Sequence, residues 1–153
     1  MDVDHKNLGG LIPTFEEDRQ ILLGMCDMGF AVALDIHWNG PVYSHNEYPE
    51  KWAKLYFDKN FFVLDPLFYW TVVKTGHIRW SEVSFPDPRG VLKMAAEHGL
   101  KYGCTFSMKE SNRRHLLSIS RSDREFTDPE ISEAEKVFES WTAASINIRP
   151  SKK

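Results

Sequence analysis

The sequence predicts an α+β fold in which an antiparallel sheet is covered by helices. Three observations predict it. Phe30 to Trp38 alternates, with Phe30, Val32, Leu34, Ile36 and Trp38 on one face and Ala31, Ala33, Asp35 and His37 on the other. That is the period of a strand. Ile131, Ala134, Val137, Phe138 and Trp141 instead recur at helical spacing. Strand-like runs arranged as hairpins are separated by several helical segments, which suits a sheet with helices packed on it.

Each element follows in chain order. Thr14 to Met28 reads as a helix, with Thr14 and Glu17 spaced as a capping box and Gly29 placed to stop it. Phe30 to Trp38 is the first strand. Asn39-Gly40-Pro41 makes a turn, and Val42 to His45 is its paired strand. Pro49 to Asp58 is helical, and a second helix runs from Asp65-Pro66 to about Lys74. Gly76 to Trp80 is a short strand. Asp87 to His98 is a helix that ends at Gly99. Cys104 to Lys109 and His115 to Arg121 form a hairpin around Glu110 to Arg114. Thr127-Asp128-Pro129-Glu130 starts the last helix.

Composition bounds the class. The 153 residues are the size of one domain, and 42% hydrophobic with 13% aromatic residues is enough for its core. No apolar run approaches a membrane span, and the first residues, MDVDHKN, carry no secretory signal. Cys26 and Cys104 are the two cysteines; they could pair, but a reduced cytoplasmic protein is the simpler reading. Net charge is −3 with no basic stripe, so no direct nucleic-acid contact is expected from this chain. His5, His37, His45, His77, His98 and His115 show no metal-binding spacing. Nucleophile-elbow and nucleotide-binding fingerprints are absent as well. The reading is a non-enzyme without metal or cofactor.

The richest stretch is Tyr48 to Pro66, YPEKWAKLYFDKNFFVLDP. Tyr48, Trp52 and Tyr56 recur every four residues, one stripe if helical. Each joins an apolar body to one polar handle. Asp65 sits among Phe61, Phe62, Leu64, Leu67 and Phe68. This is the make-up of an apolar small-molecule pocket with a few directed hydrogen bonds.

The same residues carry a family resemblance. Tyr48, Trp52, Tyr56, Asp65-Pro66, Trp80 in HIRWSE and Gly103 in EHGLKYGCTF occur in order. The chain thereby resembles, over about residues 15 to 145, the autoinducer-binding domain of LuxR-type quorum-sensing regulators, which bind acyl-homoserine lactones. The resemblance implies a single domain over residues 1–153. It also implies an α-β-α sandwich with a five-stranded antiparallel sheet flanked by helices (PAS/GAF-like), enclosing the ligand between sheet and helices.

The resemblance also implies roles. Asp65 accepts from the ligand amide N–H; read on its own, Asp before Pro66 is a helix N-cap, and the two roles are compatible. Trp52, a donor only, holds the lactone carbonyl, although by itself it reads as a core residue. Tyr48 donates to the acyl carbonyl, or is a hydrophobic staple. Tyr56 and Trp80 are walls. Ser118, with Ser120 as the alternative register, meets the acyl or 3-oxo oxygen. Val32, Leu34, Ile36, Phe57, Phe62, Leu100 and Phe106 are candidates to line the chain. Gly103 reads as a backbone requirement.

Four positions depart from the family pattern. Ser107 stands where many relatives have Pro. The turn Glu110 to Arg114 lacks the usual Gly. Leu67 replaces a hydroxyl, and Ala53 an Arg. Intact Trp52 and Tyr56 favour a lactone over the plant compounds some relatives answer. LuxR-type regulators carry a C-terminal helix-turn-helix domain, for which residues after Ile146 leave no room. The expectation is a sensor half of such a regulator, acting as a homodimer or a heterodimer with a LuxR-type partner. Two alternatives stand beside it: a short relative that antagonises full-length regulators by pairing with them, and a PAS- or GAF-like sensor of another ligand.

Overall fold

The computed structural model describes residues 8–148. Its elements are α1 (Leu8–Leu11), α2 (Phe15–Met25), β1 (Phe30–His37), β2 (Gly40–Asn46) and α3 (Glu50–Asp58). A 3-10 turn (Phe61–Leu64) and α4 (Pro66–Val73) follow, then β3 (Gly76–Arg79), α5 (Val91–Glu97), β4 (Tyr102–Glu110), β5 (Arg113–Arg121) and α6 (Asp128–Ile148). The five strands lie in the order β2-β1-β5-β4-β3, and every neighbouring pair is antiparallel. The expected five-stranded sheet between helices is what the chain forms.

Two apolar layers cover the two faces. Phe30, Val32, Leu34, Phe106, Leu117 and Ile119 pack on one side with Leu22 of α2 and Phe138 and Trp141 of α6. Trp52, Phe61, Leu67, Trp80, Val91, Ala95 and Leu100 form the other layer, with α3, α4 and α5. The first layer is tight: Trp141 is wholly buried, and its indole donates to Asp18 across 2.8 Å.

Asp18 explains one correction. Thr14 does not cap α2; its hydroxyl donates to the Asp18 carboxylate at 2.9 Å. The same oxygen accepts the Trp141 indole, so the tertiary contact draws the hydroxyl away from the backbone. A reciprocal capping box forms at α6 instead. Glu130 N–H donates to Thr127 Oγ1 at 3.2 Å, and Thr127 N–H donates to Glu130 at 2.9 Å. Helix α2 also stops at Met25, earlier than expected. Gly29, at φ 85°, serves a second purpose: a Cβ there would lie 2.0 Å from the Glu47 carbonyl oxygen.

Helix α5 begins at Val91 rather than Asp87. Gly90 sits at φ 65°, and the Asp87 carboxylate reaches past it to accept the N–H groups of Val91 and Leu92 at 2.8 and 2.9 Å. The β4–β5 turn closes without glycine because Ser111 takes the left-handed conformation, at φ 54°. The first hairpin turns at Trp38-Asn39, between the paired His37 and Gly40, rather than at Asn39-Gly40-Pro41. Trp38 is therefore 97% exposed and does not join the apolar face. Both cysteines are free and buried. Burial holds each thiol up at about 12, so neither has the thiolate character that reactivity needs.

Gly103 has a steric role rather than a conformational one. Its φ is ordinary, but a Cβ would lie 2.2 Å from the Trp80 indole, which lies flat against the strand. The ring cannot swing away without losing its 2.9 Å bond to Thr105 Oγ1. Gly103→Ala is expected to lose roughly 1–3 kcal/mol of stability by overpacking, measured by urea unfolding. Gly24→Ala in α2, where a Cβ meets nothing within 4 Å, is expected to be neutral or to gain up to about 1 kcal/mol.

Candidate ligand-binding site

The site begins with a size pattern in the sheet. Facing α3, α4 and α5, the strands present Ala31, Ala33, Gly103, Thr105 and Ser118. The alternate positions, facing α2 and α6, carry the large residues. Small side chains on one face leave space under the helices. The result is a cavity of about 490 Å³, within the roughly 300–1,000 Å³ typical of small-molecule sites.

Asp35 shapes one end of it. This residue is almost fully buried and adopts φ 59°, a conformation rare for a residue with a Cβ. Its N–H donates to His115 Nδ1 at 3.0 Å, and its carboxylate faces His37 Nε2 at 3.0 Å. The twist shifts the strand's phase. Ile36, which strict alternation would place beside Leu34, lines the cavity instead.

The polar groups gather at the other end, near β4 and β5. Asp65 caps α4: its Oδ1 accepts the Leu67 N–H at 2.8 Å, with Pro66 in the first turn. Its Oδ2 accepts the Tyr56 hydroxyl at 2.5 Å. Burial holds the Asp65 carboxyl above its ordinary value, and the bonds from Tyr56, Leu67 and Phe68 offset this only in part. Burial and the adjoining carboxylate likewise drive the Tyr56 phenol well up. Trp52 stacks near Tyr56 at 5.9 Å and His98 at 5.3 Å. Its indole N–H has no hydrogen-bond partner among the described residues.

A hydroxyl chain completes this end. Trp80 donates to Thr105, and Thr105 lies 2.7 Å from Ser118. The Tyr48 hydroxyl is buried close to Ser118 yet makes no hydrogen bond of ordinary geometry. Burial raises this phenol too, and Ser118 relieves it partly. An unsatisfied buried hydroxyl costs free energy until a partner arrives.

Most sequence-derived candidates converge here. Tyr48, Trp52, Tyr56, Asp65, Trp80, Ser118, Ile36, Phe57 and Phe62 all line the cavity, and Val32 borders it although it packs into the α2/α6 layer. Tyr48 does so from the segment before α3 rather than from a helical stripe, its N–H held by Asn46 at 2.9 Å. Three candidates do not. Leu34 and Phe106 point to the α2/α6 side because their strand parity puts them there, and Leu100 is packed into the core beneath the helices. Ser120 is also excluded; its hydroxyl donates to the Tyr102 carbonyl at 2.8 Å. Residues that sequence reasoning missed include Ala31, Ala33, Thr105 and Leu116. For Ala31, Ala33 and Thr105 the available signal was smallness in alternation with large residues; Leu116 carried no comparable signal. Among the described residues, no cluster of three His, Cys, Asp or Glu side chains could hold a metal. No helix among them is long and apolar enough to cross a membrane.

Comparison with known proteins accords with this geometry. Residues 30–147 match the family model of the autoinducer binding domain. The regulatory protein SdiA of Escherichia coli is 33% identical over 78 residues, half of this chain and 32% of SdiA. A crystal structure of SdiA superposes with TM-score 0.70 at 23% identity, over 94% of this chain and 62% of that one. SdiA in complex with octanoyl-rac-glycerol gives 0.69 at 24% identity, over 94% and 61%. The N-acylhomoserine lactone-dependent LuxR family factor CepR2 of Burkholderia cenocepacia gives 0.64 at 16% identity, over 87% and 81%. A GAF domain of Slr1393 from Synechocystis shares the fold at 0.58 and 13% identity, over 92% and 94%. The chain thus spans less than two thirds of each of the SdiA chains named above. It belongs to the autoinducer-binding domain family, the ligand-sensing part of LuxR-type regulators, and is a sensor domain rather than an enzyme.

Proposed function

We propose that the domain binds an acyl-homoserine lactone and acts as the sensor of a LuxR-type transcriptional regulator. One observation carries the reading: an apolar cavity gathers an unpartnered indole N–H, an unpartnered phenol and a buried carboxylate at one end. Such a head group supplies two carbonyl acceptors and one N–H donor, the complement of that set. Trp52 donates to the lactone carbonyl. Asp65, with acceptor capacity beyond its bonds from Tyr56 and the α4 backbone, takes the amide N–H. Tyr48, with Ser118 beside it, donates to the acyl carbonyl. The acyl chain lies along Ala31, Ala33 and Ile36, each buried methylene contributing about 0.8 kcal/mol.

A monoacylglycerol is the second reading, favoured by the SdiA complex with octanoyl-rac-glycerol. A glycerol hydroxyl also donates to a carboxylate and accepts from an indole. Competition between the two ligand classes on one sample separates the readings. Pairing with a second LuxR-type chain, as a homodimer or as an antagonist, is part of the proposed biology and is tested by co-purification with a full-length regulator.

A ligand at a hundredfold excess over its Kd adds about 2.7 kcal/mol. For a domain of this size the melting temperature is expected to rise by roughly 5–10 °C. An unchanged melting temperature with every lactone tested ends the reading. Asp65→Asn is expected to weaken binding about 10–100-fold, since a bond to a charged acceptor is lost. Trp52→Phe is expected to weaken it roughly fivefold. Equal affinity in both variants and the wild type removes the assigned contacts.

Asp65 also predicts a pH dependence. Its folded value is raised above the ordinary 3.8. In the unliganded chain this group's contribution to stability is therefore complete below about pH 3.8 and is lost as pH rises through the folded value. An amide donor favours the ionised carboxylate, so affinity is expected to climb with pH across the same window. Calorimetric titration across it should show the climb in wild type and a flat, weaker profile in Asp65→Asn.

A further inference from the structure

The cavity runs across the sheet. It touches Thr105 on β4, Ser118 on β5, Ala31 and Ala33 on β1, and Ser44 on β2. Three strand spacings make this span about 14 Å. The polar head-group contacts lie at the β4–β5 end. The far end is the β1–β2 turn, where Trp38 and Pro41 line the cavity beside Phe57 and Phe62.

That far end is unusual in its exposure. Trp38 is 97% exposed, Phe57 54% and Phe62 45%. One exposed aromatic needs no explanation, but three around a single cavity mouth do. They come from three separate elements, the β1–β2 turn, α3 and the 3-10 turn, so no shared helix face accounts for them. The phase shift at Asp35 turns Ile36 into the cavity, leaving Trp38 two residues on at the rim.

We propose that Trp38 is a residue that sets chain-length specificity. Resting on the acyl-ligand reading above, it covers the terminal carbons of a long acyl chain that reaches the β1–β2 end, together with Phe57 and Phe62. A short chain stops over Ala31 and Ala33 and never meets it. Each methylene removed from water is worth about fourfold in affinity, so the rim favours long chains without altering head-group binding.

The test is a matrix of butanoyl-, octanoyl- and dodecanoyl-homoserine lactone against wild type, Trp38→Ala and Trp38→Phe, read by calorimetric affinity. Trp38 makes almost no contacts in the unliganded fold, so both variants should melt with the wild type when empty. Trp38→Ala is expected to lose about tenfold in affinity for the dodecanoyl ligand, to keep its butanoyl affinity, and to be rescued by Trp38→Phe. Dodecanoyl ligand should also shield the wild type from iodide quenching of the fluorescence that Trp38→Phe lacks. Equal losses for long and short chains, or no loss for either, overturn the proposal while leaving the lactone reading standing. Failure of every lactone to bind wild type overturns both.

Discussion

The structure depends on an asymmetry of side-chain size across one sheet. On one face Phe30, Val32, Leu34, Phe106, Leu117 and Ile119 fill the space to α2 and α6. On the other Ala31, Ala33, Gly103, Thr105 and Ser118 leave the space to α3, α4 and α5 open. Close packing is the normal condition of a protein interior, so an unfilled layer leaves its lining without contacts that a ligand can supply. The first layer makes the domain fold, and the second makes it a receptor.

Polar groups inside that second layer are held there at a cost in stability. Asp65 is at once a helix cap, an acceptor for Tyr56 and a buried carboxyl held above its ordinary value. The cap and the proposed binding role are compatible because a carboxylate has about four acceptor sites. The Tyr48 hydroxyl stays buried without a well-made bond, and such a group favours any state that gives it one. Under the proposed binding mode, stability and ligand recognition are therefore linked through the same few atoms.

The hydroxyl chain shows how the fold orients a site from the rear. Trp80 can only donate, so Thr105 receives its N–H. Thr105 and Ser118 then share a hydrogen bond with each other at 2.7 Å. Gly103 underlies this arrangement, because only the absence of a Cβ lets the Trp80 ring lie against β4.

Much of this was legible in the sequence because it depends on short-range chemistry. Period-two alternation marked β1, helical spacing marked α6, Asp65-Pro66 marked the start of α4, and ordered aromatic and acidic positions marked residues that line the cavity. The failed cap at Thr14 was not legible because a contact distant in sequence, with Trp141, settled it; the turn at Trp38-Asn39 follows a residue twisting its own strand, and the late start of α5 follows Gly90 in the left-handed region with Asp87 reaching past it. Leu34, Leu100 and Phe106 are apolar in the way a chain-lining residue is, and only the sheet's parity and the layering of the helices send them elsewhere. The sequence by itself determined which residues carry donors, acceptors and apolar bulk, because those are properties of single side chains. Tertiary structure alone decided which face each residue joins and where the core is left empty, because both are set by how distant segments pack.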